Sequence, residues 1–373
     1  MTSRTIAIRP AASPAVRAAA RRAVVEGMED RKMFSVSLVS VGLNGAPADG
    51  ASSQASVSGD GRYVVFASLA TNLVAGDTNG VQDIFLRDRQ TGTTVLVSKG
   101  IGGAAANGAS TQPVISQDGA YVAFASKASN LVAGDDKGFQ DVFRYNVSTG
   151  TIELVSATNT AGTTFGNGGS SEPTISGNGQ FVSFTSFAPN LGGVDGNAEN
   201  DIYVRNMSTG QNKLVSVNTG GVSAANALSF DSWISEDGRY ITFRSDASNL
   251  IAGDTNANRD TFLRDTQTNT TILISANLAG APANSGSESN AVSGNGRFVV
   301  FQSRATDLVN NDGNGTTDVF LRDTQTNTTS LLSINRFGNN SAGGFSEFPA
   351  ISQDGSWATF SSLAPDIVTD DTN

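Results

Sequence analysis

Residues 58–68 read SGDGRYVVFAS, and the pattern returns as SQDGAYVAFAS at 116–126, SGNGQFVSFTS at 176–186, SEDGRYITFRS at 235–245, SGNGRFVVFQS at 293–303 and SQDGSWATFSS at 352–362. The turn at its heart, Asp60-Gly61 in the first copy and Asn178-Gly179 in the third, recurs every 58–60 residues. Asp-Gly and Asn-Gly supply the positive φ angles of a tight hairpin, so each copy joins the end of one strand to the start of the next. Because Asp and Asn interchange here, the position serves backbone geometry and not acid–base chemistry. Downstream stand DIFLRD at 83–88, DVFRYN at 141–146, DIYVRN at 201–206, DTFLRD at 260–265 and DVFLRD at 318–323. Polar turns such as Gln90-Thr91-Gly92 follow, and then the closing runs TTVLVS, TIELVS, NKLVS, TTILIS and TTSLLS.

Each unit reads as four short strands. Strands two and three carry apolar residues on alternate positions and some on the opposite face, which suits sheets covered on both sides. Four-stranded units repeated radially specify an all-β, six-bladed β-propeller; β-solenoid coils are shorter. The propeller is expected over residues 34–373. Residues 1–33 read as a helical appendage or linker, with Ser13 as N-cap, Pro14 at the first helical position and an end near Lys32. The sixth repeat stops at Asp371-Thr372-Asn373, the point matching Asp77-Thr78-Asn79, so blade six is expected to be incomplete, without its third strand. Phe34–Ser40 (FSVSLVS) matches a closing strand and is expected to join blade six, covering an open sheet edge. A monomer or part of a longer chain is the expected state.

The combination of S-x-[DN]-G, the phenylalanine six residues after the turn, and D-[IV]-[FY] resembles the WD40-like (PD40) repeat of TolB-type propellers, over about residues 35–373. The resemblance implies a six-bladed propeller, a binding role, and a periplasmic, secreted or cell-surface setting in a bacterium. Two features depart from it: the stretch between strands two and three is long, as in residues 69–82, and no hydrolase-like second domain is present.

Composition narrows the chemistry. The 373 residues include no cysteine and no histidine, which excludes disulfides, Cys/His zinc sites, Ser-His-Asp triads and Cys-His dyads. The 24 basic and 34 acidic residues leave a net charge of −10, opposite to what phosphate contacts require, so no nucleic-acid partner is expected. No run of 18 apolar residues predicts a transmembrane helix. The N-terminus lacks the uninterrupted apolar core and cleavage site of a secretory signal, although the resemblance implies export.

The most suggestive motif is an acidic loop before strand three. It comprises Asp77, Asn79 and Asp83; Asp195, Asn197 and Asp201; Asp254, Asn256 and Asp260; and Asp312, Asn314 and Asp318. The second copy has Asp135 and Asp141, with Lys137 in place of the asparagine. Alternating Asp and Asn in a Gly-containing turn can wrap oxygens around Ca2+, although the bidentate glutamate of an EF-hand loop is missing. The competing reading is that these side chains cap their own turns. Arg87, Arg205, Arg264 and Arg322, four residues after the recurring Asp, are expected to form ion pairs within or between blades.

Two functions fit this framework. One is a non-catalytic binding or scaffold module, taking a protein or carbohydrate ligand at a propeller face, with Phe165, Phe230 and Phe345 as exposed anchors or as interblade packing. The other is a glycoside hydrolase or lyase at the channel mouth, using two carboxylates. Its candidates are the acids outside the repeat pattern, Glu153, Glu172, Glu199, Asp231, Glu236, Glu288 and Glu347. Of these, Glu172, Glu288 and Glu347 stand near one strand-one position, where other blades have Gln54 and Gln112, and could line the channel or cap strand ends. A structural segment of a larger surface protein is a third reading.

Overall fold

The computed structural model describes residues 4–8, 37–135, 137–159 and 164–369. Five blades are complete antiparallel sheets with strands in sequential order. Blade one comprises Ser52–Val57, Tyr63–Ser68, Asp83–Asp88 and Thr93–Leu96. Blade two has Ser110–Ile115, Tyr121–Ser126, Asp141–Asn146 and Ile152–Leu154. Blade three has Ser170–Ile175, Phe181–Ser186, Asp201–Asn206 and Gln211–Leu214. Blade four has Ser229–Ile234, Tyr240–Ser245, Asp260–Asp265 and Thr270–Leu273. Blade five has Ser287–Val292, Phe298–Ser303, Asp318–Asp323 and Thr328–Leu331. Among the described residues blade six has three strands, Ser346–Ile351, Ala358–Ser362 and the N-terminal strand Arg4–Ile8.

That last strand corrects the expected gap. Arg4–Ile8 runs antiparallel to Ala358–Ser362 with Arg4 opposite Ser362, the register in which Asp83 lies opposite Ser68 in blade one. A run rich in β-branched residues, RTIAI, thus takes the third-strand place of blade six and covers an edge that would otherwise be open. Phe34–Val36 and the helix expected from Ser13 to Lys32 lie outside the described residues. Residues 37–40 form no strand; Val39 packs instead on the Phe66, Leu73 and Phe85 core of blade one.

The turn chemistry follows the sequence. Ser58 Oγ donates to Asp60 Oδ1 (2.6 Å), accepts from Tyr63 N (3.0 Å), and Gly61 takes φ 70°. The phenylalanine of strand two stacks on the aromatic of strand three inside each complete blade, as Phe66 does on Phe85 with centroids 5.9 Å apart. The larger cores lie between blades: Val65, Ile84 and Leu86 of blade one pack with Ile115, Val122 and Phe124 of blade two, and later junctions repeat this.

Candidate functional site

The strand-three aspartates of the acidic loops are fixed by a serine that sequence reading did not pair with them. Ser98 Oγ donates to Asp83 Oδ1 and accepts from Ile84 N, tying the end of strand four to the start of strand three. Ser156 with Asp141, Ser216 with Asp201, Ser275 with Asp260 and Ser333 with Asp318 repeat the bond at 2.5–2.6 Å. Each pair is separated by 15 residues, a constant offset that would have revealed it.

The asparagines bridge blades. Asn79 Nδ2 donates to Asp83 Oδ2 (2.7 Å) and to the Ala106 carbonyl of the segment leading into blade two (2.9 Å), while its Oδ1 accepts from Val81 N. Asn197 and Asn256 make the same three contacts, and Asn314 bonds the Ala342 carbonyl. The amide oxygens are therefore turned to the backbone, so a cation in these loops would be held by the aspartates without the asparagines. Asp77, Asp254 and Asp312 are buried beside their strand-three partners, and Asp195 accepts from the Tyr203 hydroxyl (2.7 Å).

Burial, the largest cause, raises the pKa of Asp83, Asp260 and Asp318 to about 6 and of Asp141 and Asp201 to about 7. In every copy the serine lowers it and the loop's first aspartate raises it. Asp77 Oδ1, both carboxylate oxygens of Asp312 and Asp318 Oδ2 are buried without a hydrogen bond of ordinary geometry. The Ser341 hydroxyl is nonetheless near enough to Asp312 to lower its pKa, as Asn314 is to Asp318. Among the described residues, no three Asp or Glu side chains gather at one point.

A second feature lies on the inner strands. Strand one of every blade carries a left-handed residue: Gln54, Gln112, Glu172, Asp231, Ser289 and Phe348, with φ between 39° and 57°. The register shifts around it as in a β-bulge. Blades one to four link hand to hand through these positions. Gln54 Oε1 accepts from Gln112 N (2.9 Å), Gln112 Oε1 from Glu172 N (3.1 Å), and Glu172 Oε2 from Asp231 N (3.0 Å).

Blade four then departs from the repeat. Asp231 pairs with Arg244 (2.7 Å) and Arg259 with Asp246 (2.9 Å). Both guanidinium groups lie over Phe230, at 4.6 and 4.5 Å from its centroid. Where blade four has Phe230, blades one to three have Ser53, Thr111 and Ser171. Arg244 replaces Ala67, Ala125, Thr185, Gln302 or Ser361, and Arg259 replaces Gln82, Gln140, Asn200 or Thr317. Burial raises the pKa of Asp231; Arg244 opposes this, while Glu172 and Glu288 add to it.

The remaining acids are dispersed. Glu153 pairs with Arg144 on the outer strands (2.6 Å), Glu199 sits in the turn capped by Asn197, and Glu236 lies in a hairpin against Gly177. Glu347 stands on blade six opposite Ser361. Phe165 is buried, Phe345 is exposed, and Phe230 fills the space between two arginines. The expected ion pairs of Arg87, Arg264 and Arg322 are instead hydrogen bonds to Thr94, Thr271 and Thr329, and Arg205 bonds Asn212. Each arginine lies opposite a neutral residue of strand four, Thr94, Asn212, Thr271 or Thr329. The recurring ion pairs are Arg62–Asp88, Arg239–Asp265 and Arg297–Asp323, at 2.6–2.8 Å. A cavity of about 310 Å³ between blades three and four is lined by Phe181, Asp237, Gly238, Arg239, Thr266 and Gln267, of which Asp237 and Gly238 belong to the repeated hairpin turn.

No family model matches the chain, and no curated protein matches it in sequence. A prolyl endopeptidase structure superposes with TM-score 0.50 at 12% identity, over 81% of this chain and 38% of that one. A putative TolB from Agrobacterium tumefaciens gives TM-score 0.45 at 18% identity, over 84% of this chain and 90% of that one. TolB from Acinetobacter baumannii gives 0.39 at 16%, over 75% and 59%. The chain spans well under half of the endopeptidase, and at 12% identity the likeness is one of fold alone. Its own repeats and sheet order make this chain an all-β protein of six propeller blades.

Proposed function

We propose that the chain is a non-catalytic binding propeller whose ligand docks at the inner-strand end of blade four. The observation that carries this reading is the concentration there of residues that break the repeat: Phe230, Arg244, Asp246 and Arg259, with Glu172, Asp231 and Glu288 close in electrostatic terms. Guanidinium groups stacked on an aromatic ring and held by carboxylates form a fixed planar surface, which suits a carbohydrate or an extended protein segment. Glycoside hydrolysis needs two carboxylates free to face one bond. Against that requirement, Glu172 accepts from Asp231 N and Thr185 Oγ1, and Asp231 is paired with Arg244.

The test compares the wild type with a Phe230→Ser/Arg244→Ala/Arg259→Gln variant, which introduces the residues of blade one at these positions, on oligosaccharide and peptide arrays. Capture by the wild type and loss in an equally folded variant supports the reading. Cleavage products from a captured ligand, or equal capture by both proteins, overturns it.

The reading includes an extracytoplasmic setting and a calcium ion held between paired loop aspartates such as Asp312 and Asp318. What supports the ion is the set of buried carboxylate oxygens without a hydrogen bond of ordinary geometry. An unchanged melting temperature on chelation and on calcium addition removes it.

A further inference from the structure

A short hairpin leads into strand one of each blade, and every described tip of it carries an exposed apolar residue. The hairpin bases are isolated bridges: Val41 with Pro47, Lys99 with Ala105, Val217 with Ala224, Ala276 with Pro282 and Ile334 with Ser341. At their tips stand Leu43, Ile101, Val222, Leu278 and Phe337, between 47% and 70% exposed. In the sixth hairpin, bridged by Ala157 and Phe165, residues 160–163 lie outside the described residues. Scattered surface leucines are ordinary; the same exposure at the same loop of five blades is a property of the repeat.

The tips are held firmly and yet uncovered. Each hairpin is tied to the loop after strand two of its blade: Leu43 N donates to Asn72 O, Ile101 N to Asn130 O, Thr219 N to Asn249 O, Leu278 N to Asp307 O and Arg336 N to Asp366 O, at 2.7–3.2 Å. Gly45, Gly221, Gly280 and Gly338 of the same tips have open space around them. The tip sequences GLNGA (42–46), GIGGA (100–104), NTGGVS (218–223), NLAGA (277–281) and NRFGNN (335–340) contain no Asp or Glu. Their one charge, Arg336, lies over the Phe337 ring at 4.9 Å. The acids beside the hairpins are engaged in bonds: Asp49 accepts from Thr71, Asp307 from Asn277 and Asn284, and Asp366 from Gly343 N. At the other end of the strands, the Ser-x-[DN]-G turns present exposed Asp60, Asp118, Asp237 and Asp354.

We propose that the hairpin end of the protein docks on a lipid bilayer, its five apolar tips dipping to the boundary between headgroups and acyl chains. Equivalent points of a radial repeat lie at one height, so the tips meet a plane together. They stand one to a blade, separated by polar Asn, Gly and Thr, and lack the contiguous apolar centre that a protein interface packs. A lipid surface needs no matching pocket and admits each tip separately. The charges agree with this orientation. Acid-free tips and Arg336 meet the headgroup phosphates, and Arg336 can reach them while the Phe337 ring enters the apolar layer. The exposed turn aspartates stand a strand's length away, about 20 Å, or some two Debye lengths at physiological salt. This docking goes beyond the blade-four reading, since it concerns the surface on which the protein sits and not the ligand it takes.

The test is co-sedimentation with vesicles of phosphatidylcholine containing a quarter phosphatidylglycerol, at ~0.1 M and ~0.5 M NaCl. The wild type is compared with Leu43→Ser/Ile101→Ser/Leu278→Ser/Phe337→Ser, whose altered side chains are all exposed and whose melting temperature is expected to match. The wild type is expected to sediment with the vesicles at both salts, and the variant to partition at least ~10-fold more weakly. No co-sedimentation, equal partition of the two proteins, or binding lost at the higher salt overturns the proposal. So does a wild-type dimer in analytical ultracentrifugation that the variant turns into monomer, which would assign the tips to a second copy. The absence of native cysteine allows a second readout of orientation. A polarity-sensitive fluorophore on Leu278→Cys is expected to brighten and shift to the blue with vesicles, while the same label on Gln90→Cys, in a turn at the other end, stays unchanged. Equal shifts at both sites, or a shift at Gln90→Cys alone, contradict docking through the tips.

Discussion

Replacing Asp141 with asparagine tests the role of the strand-three aspartate. Asp141 is 2% exposed, its Oδ1 accepts from Ser156 Oγ at 2.6 Å, and its pKa is pushed up to about 7. Burial is the main cause; Asp135 adds to it, while Ser156 and Lys137 oppose it. The folded value stands above the unfolded value of 3.8, so the folded state retains a proton that the unfolded state releases between them. The stability from this group is therefore complete below about pH 4 and lost as the pH rises through about 7. At about 1.4 kcal/mol per pKa unit the loss is on the order of 2–4 kcal/mol. Asparagine cannot titrate and can still accept from Ser156. Asp141→Asn is expected to exceed the wild type in stability by ~2 kcal/mol or more near pH 8 and to match it near pH 4. Denaturant midpoints at three pH values, with unchanged m-values, give the comparison. Parallel pH curves, or a variant weaker at pH 8, would refute the reasoning. A calcium ion bound to the same carboxylates would invert the sign, making wild-type stability grow with pH.

Asn256→Ala removes the bonds to Asp260, the Ala283 carbonyl and Asn258 N, and is expected to cost about 1–3 kcal/mol in denaturant titration. Two glycines separate strain from packing: Gly280 at φ 81° has open space around it, while Gly296 at φ 72° lies under the Tyr240 ring. Gly280→Ala is expected to cost about 1 kcal/mol, and Gly296→Ala at least ~2 kcal/mol more; equal costs would deny the aromatic-on-glycine contact its role. Asp265, held well below the usual carboxylate range chiefly by Arg239, has the opposite pH dependence from Asp141. Its pairing stabilises the fold above the unfolded pKa and is lost as the pH falls. Asp265→Asn is expected to lower the unfolding free energy at pH 7 by about 1 kcal/mol after screening, read from denaturant midpoints, and to converge with the wild type in acid.

The strands and hairpins were legible because their signals are local: Asp-Gly turns and alternating apolar residues act within a few positions. The Asp83–Ser98 clamp and the Asn79–Ala106 bridge join residues separated by a strand or by a blade boundary, so no local rule exposes them. A constant offset in the repeat did encode the clamp. Arg4–Ile8 in blade six was not legible at all, since five residues of β-branched sequence do not name a partner at the other end of the chain. Of the candidate site, Phe230 and Asp231 were visible as single residues. Their partners Arg244 and Arg259 emerge only when the blades are aligned column by column and the departures from the repeat are followed into space.

The most direct measurement is calorimetric titration of an array-selected ligand into the wild type and into the Phe230→Ser/Arg244→Ala/Arg259→Gln variant, with the ligand recovered and analysed afterwards. Saturable binding by the wild type, abolished in the folded variant, with the ligand recovered intact, is the expected result. Undiminished binding by the variant, or a ligand returned cleaved, would contradict a non-catalytic binding site on blade four.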